Sequence, residues 1–137
     1  VYNMLKPKMV FTMLTAWFAF HVFIFWVINP SGVEALIDGQ KGQFMARMTG
    51  YVGGTLSMMI AYTFFMLRDI EIERAKKILL GIGSIMVIAV AIIIASNMSA
   101  AEKFPTEPMI ATPLPAVVLW IILTVYTLYV AITTKSS

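Results

Sequence analysis

Four apolar stretches, at residues 10–28, 45–67, 78–97 and 114–132, fill most of the chain, with almost no charge inside them. A helix crosses the roughly 30 Å hydrocarbon core of a bilayer with about 20 apolar residues, so each stretch predicts a membrane-crossing helix. The predicted spans lie near 8–28, 45–67, 76–97 and 114–133, in a single domain over 1–137. The expected fold is all-α: a polytopic membrane protein with four transmembrane helices in a bundle and a short interfacial helix.

The connections carry the polar residues. Asn29-Pro30 reads as the end of the first helix, because proline cannot continue a helix and restrains the residue before it. Ser31 and Glu34 have the spacing of a capping box. They predict an interfacial helix near 32–38, stopped by Gly39. Residues 68–77 alternate in charge and read as a solvated turn. Residues 99–115 hold Pro105, Pro108, Pro113 and Pro115 and read as a proline-stiffened loop with apolar Phe104, Met109 and Ile110 available for docking. No internal repeat is visible, which removes support for an inverted-repeat transporter.

Composition and charge sharpen this picture. Hydrophobic residues make up 60% and charged residues 12% of the chain, where a soluble domain carries about 25% charge. The net charge of +3 does not point to nucleic acid, because the basic residues flank the apolar runs where lipid headgroups lie. Lys6, Lys8, Arg68, Arg74, Lys76, Lys77 and Lys135 fall on one side of a four-span topology, against Lys41, Arg47 and Lys103 on the other. The positive-inside rule then places both termini in the cytoplasm, in a membrane read as a prokaryotic plasma membrane. The first apolar run is too long for a signal h-region and lacks a small-x-small cleavage site, so it reads as a retained helix. Lacking cysteine, the chain has no disulfide, thiolate metal site or cysteine nucleophile.

Candidate chemistry is sparse. All seven acidic residues lie outside the apolar cores, which weighs against proton-coupled drug export and carboxylate proton relays. His21 is the one ionisable residue at mid-span, with Trp17 and Phe25 one turn to either side. It reads either as an axial ligand to haem or chlorophyll or as a neutral histidine bonded to a Ser, Thr or backbone carbonyl of a neighbouring helix. The stretch Trp17–Trp26 resembles the pigment-binding helix of bacterial light-harvesting polypeptides over that one helix; three more helices depart from that family. Gly50, Gly53, Gly54 and Ser57, with Gly81 and Gly83, are the expected close helix-packing points. Arg47, Trp26, Arg68, Lys76 and Lys77 are expected at lipid headgroups, with Arg47 alternatively paired to Glu34 or Asp38. The eleven methionines read as packing rather than copper(I) ligands. No catalytic residue and no metal site is assigned.

Asn29-Pro30, Ala46-Arg47-Met48-Thr49-Gly50 and Glu73-Arg74-Ala75-Lys76-Lys77 occur in an order that resembles a group of small four-helix integral membrane proteins of prokaryotes. The resemblance implies the fold and implies no activity. The loop through Pro115 is longer than in that pattern. The residues together predict an accessory, non-catalytic subunit of a respiratory, photosynthetic or membrane-oxygenase complex, with lipids and other membrane subunits as partners. The alternatives are a haem- or chlorophyll-binding subunit, and a binder of lipid or another apolar ligand in a pocket near Trp17, His21 and Tyr62.

Overall fold

The computed structural model describes residues 6–107 and 111–135. Met109 and Ile110, expected in the docking loop, lie outside the described residues, as does Pro108. The order of elements is α1 (Pro7–Phe23), a π-helical segment (Ile24–Ile28), α2 (Asn29–Leu36), α3 (Gln40–Leu67), α4 (Ile72–Lys103) and α5 (Leu114–Thr133). Among the described residues there is no strand. Four helices are long and apolar enough to cross a membrane: Pro7–Leu36, Gln40–Leu67, Ile72–Lys103 and Leu114–Thr133. They form two compact units, one spanning Phe11–Asp69 and the other made of α4, α5 and the first turn of α1.

The first helix does not end at Asn29-Pro30. It runs unbroken to Leu36, so the expected capping box and separate interfacial helix are replaced by a continuation of the first span. The reason is local. Pro30 supplies no N–H, and an α-helical register would leave a carbonyl one turn earlier without its donor. The π-helical segment absorbs the mismatch: the Asn29 N–H donates to the Ile24 carbonyl, five residues back rather than four. Asn29 itself stays helical at φ −58° and ψ −40° despite preceding proline. Ser31 lies within this helix, and Glu34 turns to Arg47 instead of back to Ser31.

Gly39, at φ +86°, makes the bend into α3 with a conformation that costs glycine little. The Gln43 side chain donates to the Ile37 carbonyl at 2.9 Å, capping the end of α2. The buried residues of α3 are Gly50, Gly54, Ser57, Ala61 and Phe64, alternating by four and three along one face. This is a small-residue seam ending in an aromatic. Phe64 meets Phe11 and Phe18 of α1, with ring centroids 6.2 Å and 5.7 Å apart.

The turn after α3 is shorter than the charge pattern suggested, because α4 begins at Ile72 rather than near residue 76. Glu73 in its first turn favours this start by meeting the positive end of the helix dipole. Arg68 lies over the Phe65 ring, 4.5 Å from its centroid. At its other end α4 continues past Asn97 to Lys103, since no proline intervenes before Pro105. Its 32 residues correspond to about 48 Å at 1.5 Å per residue. Ala75, Leu79, Gly83 and Met86 form its buried face. A side chain at Gly83 would collide with Leu128 of α5.

The loop between α4 and α5 is tied back by one residue. The Asn97 amide donates to the Thr112 carbonyl and accepts from the Thr112 N–H, both at 2.9 Å. One side chain thus closes a strand-like pair of bonds onto the loop backbone. Replacing Asn97 with alanine removes both bonds and leaves a part-buried N–H and carbonyl unmatched, at about 1 kcal/mol or more per bond. Amide exchange at Thr112 should therefore accelerate by at least about tenfold in Asn97→Ala, and an unchanged rate would show that the clamp does not hold the loop.

Candidate functional site

The most closely fitted part of Phe11–Asp69 is where the π-helical segment and the start of α2 meet α3. Three side chains of the first helix lie over three glycines of α3. A Cβ at Gly50 would collide with the Asn29 amide, and one at Gly54 with the Trp26 indole. At Gly53 it would sit 3.4 Å from the Phe25 ring. The Trp26 indole N–H donates to the Tyr51 carbonyl at 3.2 Å. The wide turn of the π-helical segment therefore coincides with a close approach of two helices. Gly50, Gly53 and Gly54 face another part of this chain, and Ser57 continues their seam, buried at 6% exposure.

Gly83 is likewise filled from within the chain, by Leu128. Gly81 differs: it is exposed, and a Cβ there would meet nothing within 4 Å. Within this chain it is not a close-packing point.

Beside the Gly50 contact lies an open groove of about 380 Å³, lined by Phe25, Asn29, Val33 and Leu36 on one side and by Ala46, Thr49 and Gly50 on the other. Gly32 and Ile37 complete it. Volumes of roughly 300–1,000 Å³ are usual for small-ligand sites. The walls are mostly apolar. Thr49 has already committed its hydroxyl to the Met45 carbonyl at 3.0 Å. Among the described residues the Asn29 side-chain amide makes no hydrogen bond. The two helices that wall the groove are joined by the Arg47–Glu34 pair, in which the guanidinium donates to the carboxylate at 2.7 Å. With Glu34 61% exposed, the pair orients more than it stabilises.

Sequence reasoning gave Asn29 only the role of ending a helix. The available signal was an amide immediately beside a long apolar run, where an unpaired polar group is costly. The expected pocket near Trp17, His21 and Tyr62 is a different place from this groove, and Tyr62 is 65% exposed.

His21 sits one turn above Phe25. Its Nδ1 lies 2.9 Å from the Trp17 carbonyl. A carbonyl only accepts, so Nδ1 carries the proton and a neutral ring has its lone pair on Nε2. Trp17 packs edge-on against the imidazole at 4.7 Å, with Phe18 at 6.0 Å and Phe25 at 6.3 Å. This tautomer is the one an Nε2 ligand needs, and it equally describes a histidine bonded within its own helix. Among the described residues no three His, Cys, Asp or Glu side chains gather as a metal site. Trp26 is half-exposed beside Gly54. Arg68 pairs loosely with Asp69 at 3.5 Å, and Lys76 and Lys77 lie in the second turn of α4.

No protein-family model matches the chain, and no curated protein or solved structure shows significant similarity to it. The likeness to small four-helix proteins rests on the quoted sequence pieces alone.

Contacts at the glycines predict a sharp contrast between sites. Gly54→Ala should destabilise the protein by about 1–3 kcal/mol, because the new methyl meets the Trp26 indole. Gly81→Ala should be neutral or stabilise by up to about 1 kcal/mol through helix propensity. Thermal unfolding of the detergent-solubilised protein, followed by circular dichroism, compares them; equal effects would contradict this packing.

Proposed function

We propose that this protein is a non-catalytic accessory subunit of a larger integral membrane complex of respiratory, photosynthetic or oxygenase type, with its termini in the cytoplasm. What carries the reading is one face of α4. Gly81, Ser84, Ile88, Ala91, Ala95 and Met98 recur at alternating steps of three and four and are all exposed. This face is opposite the one formed by Ala75, Leu79, Gly83 and Met86. Ser84 has satisfied its hydroxyl on the Leu80 carbonyl at 2.9 Å, so it presents little beyond its small size.

A lipid-facing surface has no use for small residues, since acyl chains pack as well on leucine or isoleucine. Helix–helix interfaces in membranes do use them, because they let two backbones approach. The open face on α4 shares glycine, serine and alanine with the seam that α3 fills from within the chain. It therefore supports a neighbouring transmembrane helix from another subunit. Its six residues cover about five turns, enough for one helix crossing.

The reading predicts that the protein, extracted from its own membrane in mild detergent, carries further membrane subunits at fixed stoichiometry in native mass spectrometry. The double variant Gly81→Leu, Ala91→Leu should fold, because a Cβ at Gly81 has open space, yet lose those subunits. A chain that runs alone as a stable monomer of 15.3 kDa overturns the proposal.

A further inference from the structure

We infer that the groove between α2 and α3 holds the ester end of one membrane glycerolipid acyl chain, with Asn29 donating a hydrogen bond to the ester carbonyl. The inference is independent of whether the chain assembles with other subunits.

The walls set the class of ligand. Phe25, Val33, Leu36, Ile37 and Ala46 are apolar, and the groove is open on one side. At about 380 Å³ the space takes a hydrocarbon chain but not a helix, which is about 10–12 Å across with its side chains. A purely apolar occupant would leave the Asn29 amide without a partner. An unmatched amide in an apolar setting is costly, and this one lines the groove with no protein hydrogen bond among the described residues. An occupant with an acceptor at one end of a hydrocarbon chain would match both the apolar walls and the amide N–H of this part-buried side chain.

Depth selects the ester. Glu34 and Arg47 pair at 2.7 Å, and such charges belong at the level of lipid headgroups. Asn29 lies five residues before Glu34 on one continuous helix, about 7.5 Å along its axis at 1.5 Å per residue. That step leads from the headgroup level toward the hydrocarbon, where the ester carbonyls of a glycerolipid lie. Gly32 leaves room for the chain: a Cβ there would meet nothing within 4 Å.

The test uses the full chain in phosphatidylcholine vesicles doped with a phosphatidylcholine whose acyl chain carries a diazirine near the ester. After irradiation, peptide mass spectrometry maps the label. Label should concentrate on Val33, Leu36, Ile37 and Ala46. Gly32→Leu fills the groove and should lower that labelling by about fivefold or more, while Ser31→Leu, which adds the same bulk outside the groove, leaves it unchanged. Asn29→Ala tests the amide without adding volume, and loss of one hydrogen bond should lower labelling by about fivefold. Circular dichroism shows whether each variant retains its helices. Label spread evenly over exposed apolar faces, or undiminished in a folded Gly32→Leu protein, overturns the groove as a lipid site. Undiminished labelling in a folded Asn29→Ala protein overturns the ester contact.

Discussion

An apolar solvent cannot pair with a backbone N–H or carbonyl, so a chain immersed in it must satisfy those groups internally. Four helices of this chain are long and apolar enough to cross a membrane, and their backbone and hydroxyls meet that constraint. The described chain uses helix almost throughout. Its hydroxyls bond back to the preceding turn: Thr15 to Phe11, Thr55 to Tyr51, Thr63 to Met59, Thr124 to Trp120 and Thr127 to Leu123, all at 2.7–2.9 Å. Pro30 is tolerated because one wide turn redirects the Asn29 N–H to Ile24. Asn97 uses both ends of its amide on Thr112.

The same solvent removes most of the hydrophobic drive between helices, since hydrocarbon outside a helix is as apolar as the side chains within it. Close backbone approach takes its place. In Phe11–Asp69 it occurs where Phe25, Trp26 and Asn29 lie on Gly53, Gly54 and Gly50; between α4 and α5 it occurs where Leu128 lies on Gly83. Many large apolar residues are left outside, with Tyr62, Ile85, Leu114 and Ile132 each at least 65% exposed. Such a surface is stable only if lipid or other subunits cover it. The proposed helix partner on the open face of α4 and the proposed lipid in the groove at Asn29 would cover two parts of that surface.

The legible features in the sequence were those with a strong local cause. Runs of about 20 apolar residues give four helices, and the small residues at 50, 53, 54 and 57 mark a packing face. Proline misled at both loops. Asn29-Pro30 carries a strong stop signal, but a π turn over Ile24–Ile28 repairs the register, and the same stretch sets Trp26 and Asn29 against Gly54 and Gly50 of α3, a fit not visible in residues 29–31 alone. The proline-rich composition of 99–115 predicts a loop from Ser99 on, but the first proline comes only at Pro105, and Ser99–Lys103 forms the last turn of α4. Which glycines are filled from within was not legible, because Gly81 and Gly83 differ only in the side of α4 they occupy. Glu34 could be read locally as a cap; its pairing with Arg47 needs the bend at Gly39.

Four bilayer crossings are the central expectation for this fold, and a sequence without cysteine makes them directly measurable. Single cysteines at Lys6, Asp38, Asp69, Thr106 and Lys135 can be probed with a membrane-impermeant maleimide in intact bacterial spheroplasts and after lysis. The account predicts that Asp38 and Thr106 label in intact spheroplasts, and that Lys6, Asp69 and Lys135 label only once the membrane is opened. Labelling of Asp38 and Asp69 from the same side would mean that α3 does not cross the bilayer, and would contradict the account.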